Sequence, residues 1–124
     1  MSAYEKNVNF KMICILAVII FLLDLPWLTL IGGQYSAVLQ AIQGGNEVRM
    51  RPLAGIVVYP ALAFLALKTD SWKDAFFTGL AVYAVYDFTV LSVFAKYPLY
   101  LAVADSLWGA TLFTIVYFIR TKYL

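Results

Sequence analysis

The sequence predicts an all-α integral membrane protein, an antiparallel bundle of four transmembrane helices forming one domain over residues 1–124. Three observations carry this. The chain is 64% hydrophobic, with a mean hydropathy of +0.85, whereas a soluble domain is nearer half apolar. Charged residues make up 13%, against about a quarter in a typical soluble chain. The apolar residues also gather into four runs near the length, about 20 residues, that a spanning helix needs.

The runs cover about 12–31, 52–67, 76–95 and 98–119. The polar start "MSAYEKNVNFK" leads into an apolar run too long for a signal-peptide core, with no small-residue cleavage site after it, so the first span is expected to be retained. The second run is the shortest; Met50 and the aliphatic stems of Arg51 and Lys68 can extend it. Gly32-Gly33 and Gly44-Gly45-Asn46 are expected to bracket the first connection, Lys68 to Asp74 to form a charged loop, and Tyr97-Pro98 to break the chain before the last span. Between the glycine pairs, Tyr35, Val38, Leu39 and Ile42 recur at helical spacing, which predicts a short interfacial helix over Gln34 to Gln43.

Basic residues set the expected orientation. Lys6, Lys11, Lys68, Lys73, Arg120 and Lys122 fall on the side of the termini, and Arg49, Arg51 and Lys96 on the other. This bias predicts both termini on the cytoplasmic side or its equivalent. Tyr35, Trp72, Tyr97, Tyr100, Tyr117 and Tyr123 read as interfacial belts, and Cys14 as a small apolar packing residue.

Composition also excludes. A net charge of +2 with scattered basic residues gives no nucleic-acid surface, and the absence of histidine removes the usual haem and zinc ligand. No mid-span lysine can form a retinal Schiff base, and no glycine-rich phosphate loop is present. No cofactor and no metal centre are predicted, and the sequence reads against an enzyme.

Asp24, Asp87 and Asp105 are the formally charged residues inside the predicted spans. Each lies seven or eight residues from the same predicted membrane face, roughly 10–12 Å deep at about 1.5 Å per residue. An aspartate at mid-span costs about 2.5–3.5 kcal/mol on insertion scales, so all three should face the bundle interior. Three ionised carboxylates in one dry layer repel, so a proton, cation or water is expected among them. Tyr83 lies four residues before Asp87 and shares its face, Tyr86 and Thr89 flank it, and Trp108 shares the face of Asp105. Trp108 donates but does not accept a hydrogen bond, which suits a carboxylate. Gly109, beside Ala102, Ser106 and Ala110, should admit another helix closely.

These residues support two functions. The leading one is an accessory or assembly subunit of a larger membrane complex, its acids serving only to pin helix register. The alternative is a small proton- or cation-coupled transporter or channel-like protein, with Asp24, Asp87 and Asp105 as the ion site and Tyr83, Tyr86, Thr89 and Trp108 around them. Either requires a lipid bilayer and a homo-oligomer or larger complex.

The stretches Tyr86-Asp87-Phe88-Thr89, Tyr97-Pro98 and Asp105-Ser106-Leu107-Trp108-Gly109 resemble the signature of an integral membrane family, domain of unknown function 2177. "LLDLPWL" in the first span and Tyr59-Pro60-Ala61 in the second resemble its earlier features. Val90 stands where that pattern has Asn, and Tyr97 where it has Trp. The resemblance implies a four-helix membrane protein and supplies no reaction.

Overall fold

The structure is a computed structural model and describes residues 9–46 and 52–124. It contains four helices: α1 (Phe10–Ile42), α2 (Pro52–Leu67), α3 (Trp72–Val93) and α4 (Leu99–Tyr123). α1, α3 and α4 are each long and apolar enough to cross a membrane. α2 has 16 residues, about 24 Å of helix, and is the shortest, as its run predicts. Lys6, Met50, Arg49 and Arg51, which the sequence reading assigns to the ends of spans, lie outside the described residues.

α1 begins where Asn9 accepts the Met12 amide through its side chain at 2.9 Å, satisfying one of the open donors of the first turn. It then runs for 33 residues, through Pro26 and through Gly32-Gly33. The segment after Gly33 is helical as its spacing predicts, but it continues the first span instead of forming a separate interfacial helix. The reason is packing. Tyr35, Val38 and Ile42 lie against a buried cluster of Tyr97, Leu101 and Ala102, and this contact outweighs the roughly 1 kcal/mol that a helical glycine costs relative to alanine. α1 ends at Gly44 and Gly45, whose φ values of 69° and 91° suit residues without a Cβ. There the Gly45 amide returns to the Gln40 carbonyl at 2.9 Å, and Lys96 donates to the Ala41 carbonyl at 3.1 Å.

The opposite end is closed by side chains from two helices. Ser71 caps α3 by accepting the Asp74 amide at 3.1 Å, and Asp74 accepts the Asp70 amide at 3.1 Å. The expected charged loop over residues 68–74 is therefore shorter, because its last three residues belong to α3. Arg120 near the end of α4 is buried and donates to the Thr69 carbonyl at 2.7 Å, tying α4 to the α2–α3 turn. Lys11, Lys68, Lys73, Arg120 and Lys122 thus gather at one end of the bundle, and Lys96 lies at the other.

Two apolar clusters divide the interior. The larger joins Leu16 and Ile20 of α1, Ala63 and Leu67 of α2, and Leu112, Phe113 and Val116 of α4. The smaller is the Tyr97–Leu101–Ala102 cluster near the α3–α4 turn. Along α4, Asp105 falls between them. The outer surface exposes Leu22, Leu30, Ile56, Val57, Phe77, Val85 and Leu107, an apolar skin suited to lipid and unsuited to water. Cys14 is on this outer surface instead of packing inside.

α3 and α4 form the most extensive helix pair, and two glycines let them meet. A Cβ on Gly79 would overlap the Gly109 backbone and Phe113, and a Cβ on Gly109 would overlap the Tyr83 ring and the Gly79 carbonyl. The expectation of close approach at Gly109 is met, with Gly79 as its partner. Because the obstruction is backbone at Gly79 and the packed Tyr83 ring with the Gly79 carbonyl at Gly109, Gly109→Ala or Gly79→Ala is expected to cost about 1–3 kcal/mol as an overpacked core does. Gly33→Ala, with nothing within 4 Å of the added methyl, is expected to melt at or slightly above wild type. Thermal unfolding of the purified protein in detergent checks both; a Gly109→Ala melt equal to wild type would refute the close-approach argument.

Candidate functional site

The three intramembrane acids are held by neutral donors. Asp24 on α1 accepts Tyr59 Oη of α2 at 2.7 Å and Trp108 Nε1 of α4 at 2.8 Å. Asp105 on α4 accepts Trp27 Nε1 of α1 at 3.1 Å. Asp24 and Asp105 are each followed three residues later by a tryptophan, and each tryptophan serves the other helix's acid. The two rings stack with centroids 5.5 Å apart and planes inclined by 11°. In both cross-links the residue numbers sum to the same value (24 and 108, 27 and 105), as antiparallel helices in register require. Asp24, Trp27, Asp105 and Trp108 therefore form one reciprocal unit.

Asp87 on α3 is fully buried. Its Oδ1 accepts Tyr97 Oη at 2.6 Å. Its Oδ2 is buried without a hydrogen-bond partner, and the neighbouring carboxyl is that of Asp105, close enough for a proton to be shared between them. Two carboxyl groups offer only acceptors unless one carries a hydrogen. Burial, and then the hydrogen bond to Asp87, push the Tyr97 phenol above its ordinary value, so this residue remains a donor at any physiological pH.

Tyr83 sits among Asp24, Asp105, Tyr59 and Asp87, its ring against Gly109. Tyr86 points more outward, and its hydroxyl pairs with that of Tyr35 at 2.7 Å. Thr89 is exposed on α3 and stands apart from the acids, a correction to its expected place around them. It lies two residues beyond Asp87, about 200° further around a helix.

Four partners do not follow from the sequence pattern. Tyr59 stands there beside Pro60 and Trp27 after Asp24, with no bond expected of either. Tyr35 is expected in an interfacial helix and belt, and Tyr97 in a belt. Tyr97 instead is buried, its ring meeting that of Tyr35 edge-on at 6.2 Å. The available signal was spacing for Trp27, three residues from Asp24 and so on nearly the same face. For Tyr97 it was the short turn, which returns the chain beside the end of α3.

A cleft of about 710 Å³ opens between α1, α2 and α3, with α4 at its base. Leu28, Ile31, Leu39, Val58 and Leu62 supply apolar wall. Asp24, Trp27, Tyr35, Tyr83, Tyr86 and Asp105 supply polar and aromatic wall. Among the described residues no basic side chain lines it.

Tyr97→Phe removes the donor on Oδ1, leaving both Asp87 oxygens without one, and is expected to cost about 1–3 kcal/mol. Replacing both partners, as in Tyr97→Phe with Asp87→Leu, should recover part of that loss, since two apolar groups leave no acceptor stranded. A double-mutant cycle by thermal unfolding reads the coupling; additive single and double effects would show that the bond contributes nothing.

No characterised protein in the curated set and no solved structure matches the chain. The model of one family, described as predicted membrane protein (DUF2177), matches residues 9–121. The match takes in all four helices almost to the end of α4, together with both tryptophan–aspartate units and the Asp87–Tyr97 pair, and the chain belongs to this family of predicted membrane proteins, domain of unknown function 2177.

Proposed function

We propose that the chain is a proton- or cation-linked carrier whose coupling site is the carboxyl pair Asp87–Asp105, with Asp24 in the same layer. One observation carries this reading: Asp87 Oδ2 is buried without a donor beside a second carboxyl, and that second carboxyl, Asp105, lines an open cleft. A network serving only to pin helices would be expected to satisfy each acceptor internally, as Asp24 is satisfied by Tyr59 and Trp108. At Asp87 one position is left for a proton or for another positive group.

Tyr97 of the α3–α4 turn donates to Asp87, Tyr83 of α3 sits among Asp24, Asp87, Asp105 and Tyr59 of α2, and Asp24 of α1, Tyr35 of α1 and Tyr86 of α3 line the same cleft as Asp105. Among the described residues none of these groups is basic, so the proposed site draws its positive charge from a bound proton or cation. Four helices rarely enclose a path alone, and the carrier therefore works as a homo-oligomer or within a larger complex. The six-to-three bias of basic residues along the sequence supports termini on the cytoplasmic side or its equivalent.

Thermal unfolding of wild type, Asp87→Asn and Asp105→Asn, over pH and with Na⁺, K⁺, Mg²⁺ and Ca²⁺ in turn, tests the proposal. The expected result is a pH step or a cation-dependent rise in melting temperature that both Asn variants lose. Variants that melt like wild type, with no ion or pH response in any of them, would reduce the carboxyls to a structural network and favour the accessory-subunit reading.

A further inference from the structure

We infer that the cleft binds a monovalent lipophilic organic cation, of ammonium or phosphonium type, held by Asp105 and Asp24 among the rings of Trp27, Tyr83 and Tyr86. This rests on the carrier reading and names its substrate class. Three independent features of the cleft select that chemistry. Its charge is acidic, with two carboxyls in the wall and, among the described residues, no basic side chain, so an anion is repelled. Its remaining polar surface is mainly aromatic, which attracts a diffuse cation through the ring quadrupole. Its volume of about 710 Å³ falls in the range of small-molecule sites, about 300–1,000 Å³.

Small inorganic ions fit less well. Ca²⁺ takes six to eight oxygen ligands, and Mg²⁺ a near-ideal octahedron. Among the described residues no three acidic, histidine or cysteine side chains converge on one metal position. An organic cation with its charge spread over carbon needs no such cage. Its apolar body can occupy the wall of Leu28, Ile31 and Val58 while its charge meets the carboxyls.

The buried Asp87 Oδ2 supplies the coupling. It is fully buried, has no donor from the protein, and lies beside Asp105. A proton shared by the Asp87–Asp105 pair lowers the negative charge that Asp105 presents to the cleft. Cation and proton therefore compete: a singly protonated pair of charge −1 with free cation becomes a fully ionised pair of charge −2 with bound cation plus one released proton. Raising the pH should tighten binding, by up to about tenfold per pH unit where one proton leaves for each cation bound.

Equilibrium dialysis of the full purified chain in detergent against radiolabelled tetraphenylphosphonium tests this. Tetraphenylborate, nearly the same shape with opposite charge, serves as the control. Wild type is expected to bind the phosphonium but not the borate, and more tightly as pH rises. Asp105→Asn should weaken binding at least about tenfold and flatten its pH dependence. Leu28→Trp, which adds bulk to the cleft wall and removes no carboxyl, should weaken phosphonium binding at least about tenfold while keeping the pH-dependent melting of wild type; it serves if Asp105→Asn does not fold. Equal uptake of borate and phosphonium, or binding untouched by Leu28→Trp, would overturn the inference. A pH-dependent melt without phosphonium binding sinks the organic-cation site and leaves the carrier reading standing; the absence of both sinks the two together.

Discussion

The bundle is organised by the need to give three carboxyl groups hydrogen-bond donors where, among the described residues, no basic side chain bonds to them. An acid at mid-span costs about 2.5–3.5 kcal/mol on insertion scales, and three unsatisfied ones would exceed a good part of a typical domain's stability of 5–15 kcal/mol. The chain answers with tryptophan and tyrosine. An indole N–H only donates, so it suits a carboxylate and asks for no partner in return. The exchange of Trp27 and Trp108 between Asp105 and Asp24 satisfies two acids with one contact and also fixes how far α1 and α4 slide past one another. A shift by one turn would break both bonds together.

The other helices are placed with respect to that unit. Tyr59 brings α2 to Asp24. Gly79 and Gly109 bring α3 onto α4 closely enough for the Tyr83 ring to lie over Gly109, and this approach carries Asp87 to Asp105. The α3–α4 turn then returns Tyr97 to Asp87. Apolar clusters above and below this layer shield its inner bonds, Asp87 fully, which strengthens each hydrogen bond there and makes any missing one expensive. The glycines and the acids therefore act on one geometry. A side chain at Gly109 would push Tyr83 outward and separate the carboxyls as well as the helices.

Much of this was legible in the sequence, for identifiable reasons. Helices in lipid must satisfy their own backbones, so length and hydropathy gave the elements without any tertiary information. Counting residues from the expected membrane face placed Asp24, Asp87 and Asp105 at one depth, because helical rise is constant. The donors were less legible. Tyr59 and Trp108 reach Asp24 across 35 and 84 residues of chain, and only the rotation of each helix decides which aromatic residue arrives. Thr89 shows the same limit. It shares the depth of Asp87 within one turn but points away, since depth follows residue number while facing follows its remainder around the helix. Gly32-Gly33 misled for another reason: a glycine pair marks a break only where nothing packs across it, and here Tyr35 and Val38 do.

The distribution of donors separates the three acids by what they can do. Asp24 accepts from two side chains on two other helices, so its demand is met from within. Asp105 accepts one indole, and Asp87 one phenol, and these two stand side by side. An acid satisfied on both oxygens stabilises a single state. A pair sharing one vacancy has two ways to be satisfied, a proton between the carboxyls or a positive group beside them, and each excludes the other. That mutual exclusion is the minimum physical requirement for coupling two fluxes through one site. In the proposed carrier it would arise from the missing donor at Asp87 Oδ2, with Tyr97 donating to the other oxygen.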